Sequence, residues 1–438
     1  MSQDFRAGGE ARAGSPAFGV SGAMLVLLAL THLAGALDRA LPSVVASLIR
    51  DEMALSDQAI GALQGPAFVA LYAVSLLGAG HWLRVLDARR FAASAVVVWT
   101  AGGLLFALSE TYVGMVCGRA LLGAGQAAFV PAALLLIGQE TGEARRARGL
   151  SLFTAGSAAG RSVALLLGGA ILSVLGPQLA AGLESWRAMC VVMIAPNLVL
   201  SLLLLRGFPS GRAALRRGTS LPEAIRAVMA APRRLVSLAF AGAGTVLVVQ
   251  TAGAWAPSIL HRDHGLGVPE SALVFGGIVL LFAPTGHLLS GWLAGERRRV
   301  NPGWVLVSAL LIAAGFAVAL AVAGGLAAAI IALIGLTLTG GMAAAMSMIL
   351  FQGQIDTPYR GSVGALFLAT TSTIGLGAGP WITGALSDRL GPEHGLAWAL
   401  AITVGIAATG VGVLGIMFGP DWSYVLDPRR TPDLASAS

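Results

Sequence analysis

The chain has 438 residues, 56% of them hydrophobic and only 11% charged, with a formal net charge of +7 and a mean hydropathy of +0.81. A soluble protein of this size carries roughly 25% charged residues, so the composition excludes a chain that wraps one core in a polar surface. Arg supplies the whole basic excess, since the sequence contains no Lys, and its placement along the chain accounts for it without a nucleic-acid partner.

In chain order the apolar residues form twelve blocks, at about 20–47, 58–83, 91–109, 112–138, 149–174, 186–205, 234–259, 270–294, 303–323, 325–351, 361–386 and 395–418. Blocks of that length match a hydrocarbon layer of about 30 Å at about 1.5 Å per helical residue. They lack the alternation of barrel strands. The fold class is therefore all-α integral membrane, with twelve transmembrane helices. The polar stretch 1–18 reads as a tail with no cleavage site, and 420–438 as a second tail. Arg84, Arg89 and Arg90, then Arg145, Arg146 and Arg148, then Arg206 to Arg234, then Arg297 to Arg299 fall in alternate loops. The opposite ends hold only Arg50, Arg187, Arg262 and Arg389. By the positive-inside rule, both termini are expected in the cytoplasm and the protein in the inner, cytoplasmic membrane.

The longest inner segment, 206–233, divides six spans (19–205) from six more (234–419). Within it, Ser220 and Glu223 read as a capping box with Pro222 in the first turn. Leu221, Ile225, Val228 and Met229 share a face away from Arg226, as in a short amphipathic helix lying on the membrane. An unstructured basic linker is the alternative. The flanking halves repeat: "GHWLRVLDARR" from Gly80 answers "GWLAGERRR" from Gly291, and Arg148-Gly149 answers Arg360-Gly361 at the same separation to within one residue. A duplicated six-helix unit puts a substrate site between the halves, near the bilayer midplane.

Three spans carry charge. At about 1.5 Å per residue, Asp38 lies about 15 Å from the outer surface, Arg119 about 10 Å, and Arg161 about 18 Å from the inner one. Arg119 and Gln126 share a helical stripe with Gly123, and His32 and Arg39 share one with Gly35. An ion at the bilayer centre costs about 2.5–3.5 kcal/mol or more. Arg keeps its proton, so Asp38 is the buried group whose charge can switch, which suits proton coupling. The surplus of Arg39, Arg119 and Arg161 suits an anionic substrate held by guanidinium forks. A purely structural set of ion pairs and carbonyl contacts remains the alternative. His32, Gln250, Trp255, His287 and Thr370 are possible cavity-lining residues. Cys117 and Cys190 define no disulfide framework. No cofactor and no metal site is expected: "HRDH", from His261 to His264, lacks further ligands. No nucleophile–base constellation marks an enzyme.

Several stretches resemble the major facilitator superfamily, and within it the spinster-like branch: "LDRALPSVVASLIRDEMALSDQAIGALQG", "GRALLGAGQAAFVPAALLLI", "WAPSILHRDHGL" and "GLGAGPWITGALSDRLG". The resemblance implies two pseudo-symmetric six-helix bundles and alternating access. It implies proton coupling at Asp38, and substrate binding involving Arg39, Arg119 and the position of Gln126, where the branch carries Glu. It implies gating loops around Gly80, Arg84 and Asp87 and around Gly291 and Glu296, although Arg84 and Gly295 stand where the family motif has Asp. The expected function is a monomeric, proton-coupled secondary transporter of a lysophospholipid-like or sphingoid-phosphate-like anion. The alternative is a proton symporter of a small organic anion, as in the anion–cation symporter branch.

Overall fold

The computed structural model describes residues 22–138, 143–175, 184–207, 225–226, 228–229, 232–295, 300–354, 360–391 and 394–422. Its elements are helices: α1 (Gly22–Glu52), α2 (Asp57–Gln64), α3 (Pro66–Val85), α4 (Ala88–Leu108), α5 (Tyr112–Gly138), α6 (Glu143–Leu175), α7 (Ser185–Ile194), α8 (Pro196–Gly207), α9 (Pro232–Arg262), α10 (Val268–Leu293), α11 (Pro302–Ala321), α12 (Leu326–Gly353), α13 (Arg360–Leu390) and α14 (Gly395–Trp422). Among the described residues, 11 segments are long and apolar enough to cross a membrane. A further helix, α13, runs 31 residues and is richer in hydroxyls, at Thr370, Thr371, Ser372 and Thr373. Linker residues 225–226 and 228–229 are helical; the Ser220 to Glu223 capping box lies outside the described residues.

Two spans that hydropathy shows as continuous are broken. Gly65 and Pro66 divide the second into α2 and α3, and Ala195 and Pro196 divide the sixth into α7 and α8. Proline opens the new helix in each case because it lacks the N–H that a continuing helix would use and its φ already suits a first turn. Hydropathy is blind to such breaks because Gly, Ala and Pro barely interrupt an apolar average.

The surface of the bundle is what a bilayer requires. Val174 is 86% exposed, Leu288 75% and Ile416 71%, side chains that water would force inward and acyl chains accept. The halves α1–α8 and α9–α14 meet through α6 against α10, α2 and α3 against α13, and α1 against α9 and α10. One end of the bundle carries Gly22 and Trp422 and is here termed the terminal end; the loops after α1, α9 and α13 mark the distal end.

Candidate functional site

A cavity of about 580 Å³ lies between the halves. Its polar lining comprises Arg39, Ser43, Gln64, Ser157, Arg161 and Ser162 from the first half, with Gln250, Thr337 and His287 from the second. Ala36, Ala40, Ala158, Val246, Val249, Phe275 and Leu336 are among the many apolar residues that complete the wall. Arg161 donates from Nη2 to Gln250 Oε1 across the divide between halves. The Arg39 guanidinium lies 5.8 Å from the Phe68 ring centroid and has no ion pair among the described residues. The two Arg of this wall therefore face the cavity without an acid.

Asp38, Arg119 and Gln126 are not part of the wall; they are buried within the first half, at 1%, 1% and 6% exposure. Asp38 Oδ2 accepts from Asn197 Nδ2 at 2.6 Å. No Arg forms an ion pair with Asp38 among the described residues. Arg119 instead donates to two main-chain oxygens, Leu63 O at 2.9 Å and Arg39 O at 3.2 Å, and lies between the Phe68 and Phe106 rings. Gln126 donates to Gly35 O at 2.6 Å. The intramembrane charges thus divide into two layers: Arg39 and Arg161 on the cavity, Asp38 and Arg119 behind it. Helical depth gives height in the membrane but not the direction in which a side chain leaves its helix, so it could not separate the two.

The distal end above the cavity is sealed by a clasp. Asp57, 2% exposed, opens α2. Its carboxylate accepts both bonds of Arg262 Nη1, at 2.8 and 2.9 Å, and Ser387 Oγ at 2.6 Å, with Arg50 Nε 3.1 Å away. The exchange is reciprocal: Asp388 of the second half accepts from the backbone N–H groups of Asp57 and Gln58, each at 2.9 Å, and so caps α2 from across the divide. Ser56 caps the same helix from within its own half. Free N–H groups and the helix dipole make a helix start a natural seat for a carboxylate. The main chains also touch: a Cβ at Gly61 would overlap Pro380 O.

Other expected site residues fall elsewhere. The His32 ring stacks on Phe153 at 3.9 Å and bonds Phe153 O through Nδ1, away from the cavity wall. Trp255, 1% exposed, donates to Pro380 O at 3.0 Å, and Thr370 donates to Leu366 O in its own helix; neither lines the cavity. Gly80 and Gly291 are exposed near the terminal end, and Asp87 caps α4 by accepting from the N–H groups of Arg89 and Arg90. Glu296 and the Arg84 side chain lie outside the described residues.

The Major Facilitator Superfamily model matches residues 28–380. The chain belongs to that superfamily. It is 26% identical over 379 residues to an "MFS-type efflux pump" of Mycolicibacterium smegmatis, covering 84% of this chain and 85% of that one. It is also 26% identical over 389 residues to a "putative tartrate transporter" of Agrobacterium vitis, covering 84% of each. Among solved structures it is similar to a bacterial homologue of the human lysosomal transporter Spinster in an inward-facing, unoccupied conformation. That match has TM-score 0.77, 22% identity, and covers 90% of this chain and 97% of that one. The protein is thus a transporter rather than an enzyme, and its fold is that of the superfamily.

For this transporter, sequence reasoning missed Asn197 and the clasp. A signal existed for the clasp: Asp57, Arg262 and Asp388 each lie in a stretch that carries the family resemblance, and each stands at a helix end. The partners are 205 and 331 positions apart, so no local pattern joins them. Asn197 follows the Pro196 break and gave no signal in the apolar run.

Proposed function

We propose that this superfamily member is a proton-coupled secondary transporter of an amphipathic anion, working by alternating access as a monomer in the inner membrane with both termini cytoplasmic. The observation that carries this reading is the pair of guanidinium groups, Arg39 and Arg161, on a cavity that is otherwise largely apolar and offers them no acid. An anionic headgroup supplies the missing charge through bidentate bonds, and an acyl chain suits the Ala, Val and Leu wall. The bias of Arg to the terminal end supports assigning that end to the cytoplasm. The clasp then closes the outer face, and exposed His287 lies at the inner part of the cavity, so the conformation is inward-open.

Asp38 is the switching acid in this reading. It is buried without an ion pair among the described residues, one residue from cavity-lining Arg39, and Arg119 bonds the Arg39 carbonyl. Binding or losing a proton there changes the field felt by both Arg residues. A second reading, a small organic anion as cargo, is favoured by the tartrate transporter relatives. Both are tested in reconstituted vesicles under an imposed pH gradient, with palmitoyl lysophosphatidylglycerol and tartrate as cargo. The primary reading expects gradient-driven movement of the lysolipid that is lost in Arg39→Gln and that no longer follows the gradient in Asp38→Asn. Movement of tartrate alone selects the second reading. Movement of neither, or full gradient dependence in Asp38→Asn, overturns the assignment.

A further inference from the structure

Arg161 has an unusual seat. It projects from α6 across the divide and lies against Gly253 of α9, where any Cβ would overlap Nη1. One turn earlier on the same face of α9 stands Gln250, whose Oε1 is the one hydrogen-bond acceptor of Arg161 among the described residues. A guanidinium carries five N–H donors, so most of this one's capacity is unused. Gln250 holds it without neutralising it. Arg39 lines the same cavity. The position is therefore occupied but poised: a flat seat that only glycine leaves open, a neutral acceptor at its rim, and a like charge nearby.

We propose that Gly253 and Gln250 form a parking slot for the Arg161 guanidinium, from which an anionic headgroup in the cavity withdraws it, so that binding cargo undoes a contact between the two halves. This rests on the reading of the cavity as an anion site. A phosphate or carboxylate offers Arg161 two charged acceptors in place of one neutral one, and it relieves the repulsion between Arg161 and Arg39. Gln250 then sets affinity by being a weak competitor: a carboxylate in its place would compete with cargo for the same fork, and an apolar residue would not compete at all. Gly253 sets the geometry.

The test is binding of palmitoyl lysophosphatidylglycerol to the purified full chain by calorimetry in detergent, with tartrate as the small-anion arm and palmitoyl lysophosphatidylcholine as the zwitterionic control. Gln250→Glu weakens anion binding about tenfold or more, because a carboxylate holds the guanidinium electrostatically. Gln250→Leu strengthens it about threefold, because an acceptor is removed from the unbound state. A merely structural Gln250 would shift both variants the same way. Equal signs, or unchanged affinity in both, overturn the slot while leaving the anion site standing. Failure of both anions to bind the unaltered chain overturns the anion reading and the exchange with it. The seat has its own check: the methyl of Gly253→Ala meets only the far end of the Arg161 side chain, so it expels the guanidinium from the slot and strengthens anion binding in the same direction as Gln250→Leu. Unchanged or weaker anion binding in Gly253→Ala overturns the slot.

Discussion

At the distal rim, the Asp57 carboxylate takes Arg262, Arg50 and Ser387 together; in the interior, Asp38 takes one short bond from a neutral amide, Asn197. The Arg residues differ in the same way. Arg262 has a carboxylate, while Arg119 is spread over two carbonyls, Arg161 leans on Gln250 and Arg39 lies beside an aromatic ring. Charges that neutralise each other across the divide hold a state shut. Charges supported by dipoles stay buried at tolerable cost and remain free to meet something new. Opening the rim strands little, because Asp57 keeps Arg50 and α2 keeps its Ser56 cap from the same half. In the proposed cycle the clasp is thus strong enough to favour one conformation and cheap enough to release.

Breaking the rim should have the largest effect. Removing one partner of a fully buried ion pair costs about 3–5 kcal/mol, and Asp57→Ala should fall below that range, since Arg262 is only partly buried and Arg50 reaches solvent. Spin labels at Glu110→Cys and Gly324→Cys, on exposed distal loops, with the native thiols replaced, should report a longer distance between halves in this variant. An unchanged distance would mean that the clasp does not hold the halves. Gly61→Ala sharpens the same point without touching charge: wedging a methyl against Pro380 O should cost about 1–3 kcal/mol and lengthen the same distance. In the interior, Gln126→Glu puts an acceptor opposite Gly35 O in place of a donor, and the lost bond should lower stability by about 1–3 kcal/mol. Thermal unfolding measures it, with the label distance unmoved. The smallest effect belongs to Asp263, just beyond α9. Burial raises its carboxyl above the ordinary range, offset by His394, Arg262 and His264. The folded chain therefore holds that proton to higher pH than the unfolded chain. The stability associated with it is full below the ordinary carboxylate range and is lost as pH rises through the raised value. Asp263→Asn should flatten this part of the profile of melting temperature against pH; an unchanged slope would remove the assignment.

Hydropathy alone made the spans legible, because a bilayer forces apolar runs of one length. It also exposed Asp38, Arg39, Arg119 and Arg161, since a charge in such a run is conspicuous. What it could not carry was direction. Arg39 and Arg119 look alike in sequence, yet one lines the cavity and the other is buried behind it, a difference made by which face of each helix meets a neighbour. Nor could it show pairings between distant helix ends, or Asn197, a small amide whose place beside Asp38 depends on how α8 restarts after the Pro196 break.

The assembled rim has a practical consequence. Its surface joins the starts and ends of helices from both halves, so in the proposed alternating-access cycle the epitope that spans Ser56, Arg262 and Arg389 exists in one shape of the protein and is torn apart in the other. An antibody fragment selected against that composite patch would trap the molecule mid-cycle without ever occupying its chamber, and would serve as a fiducial for microscopy.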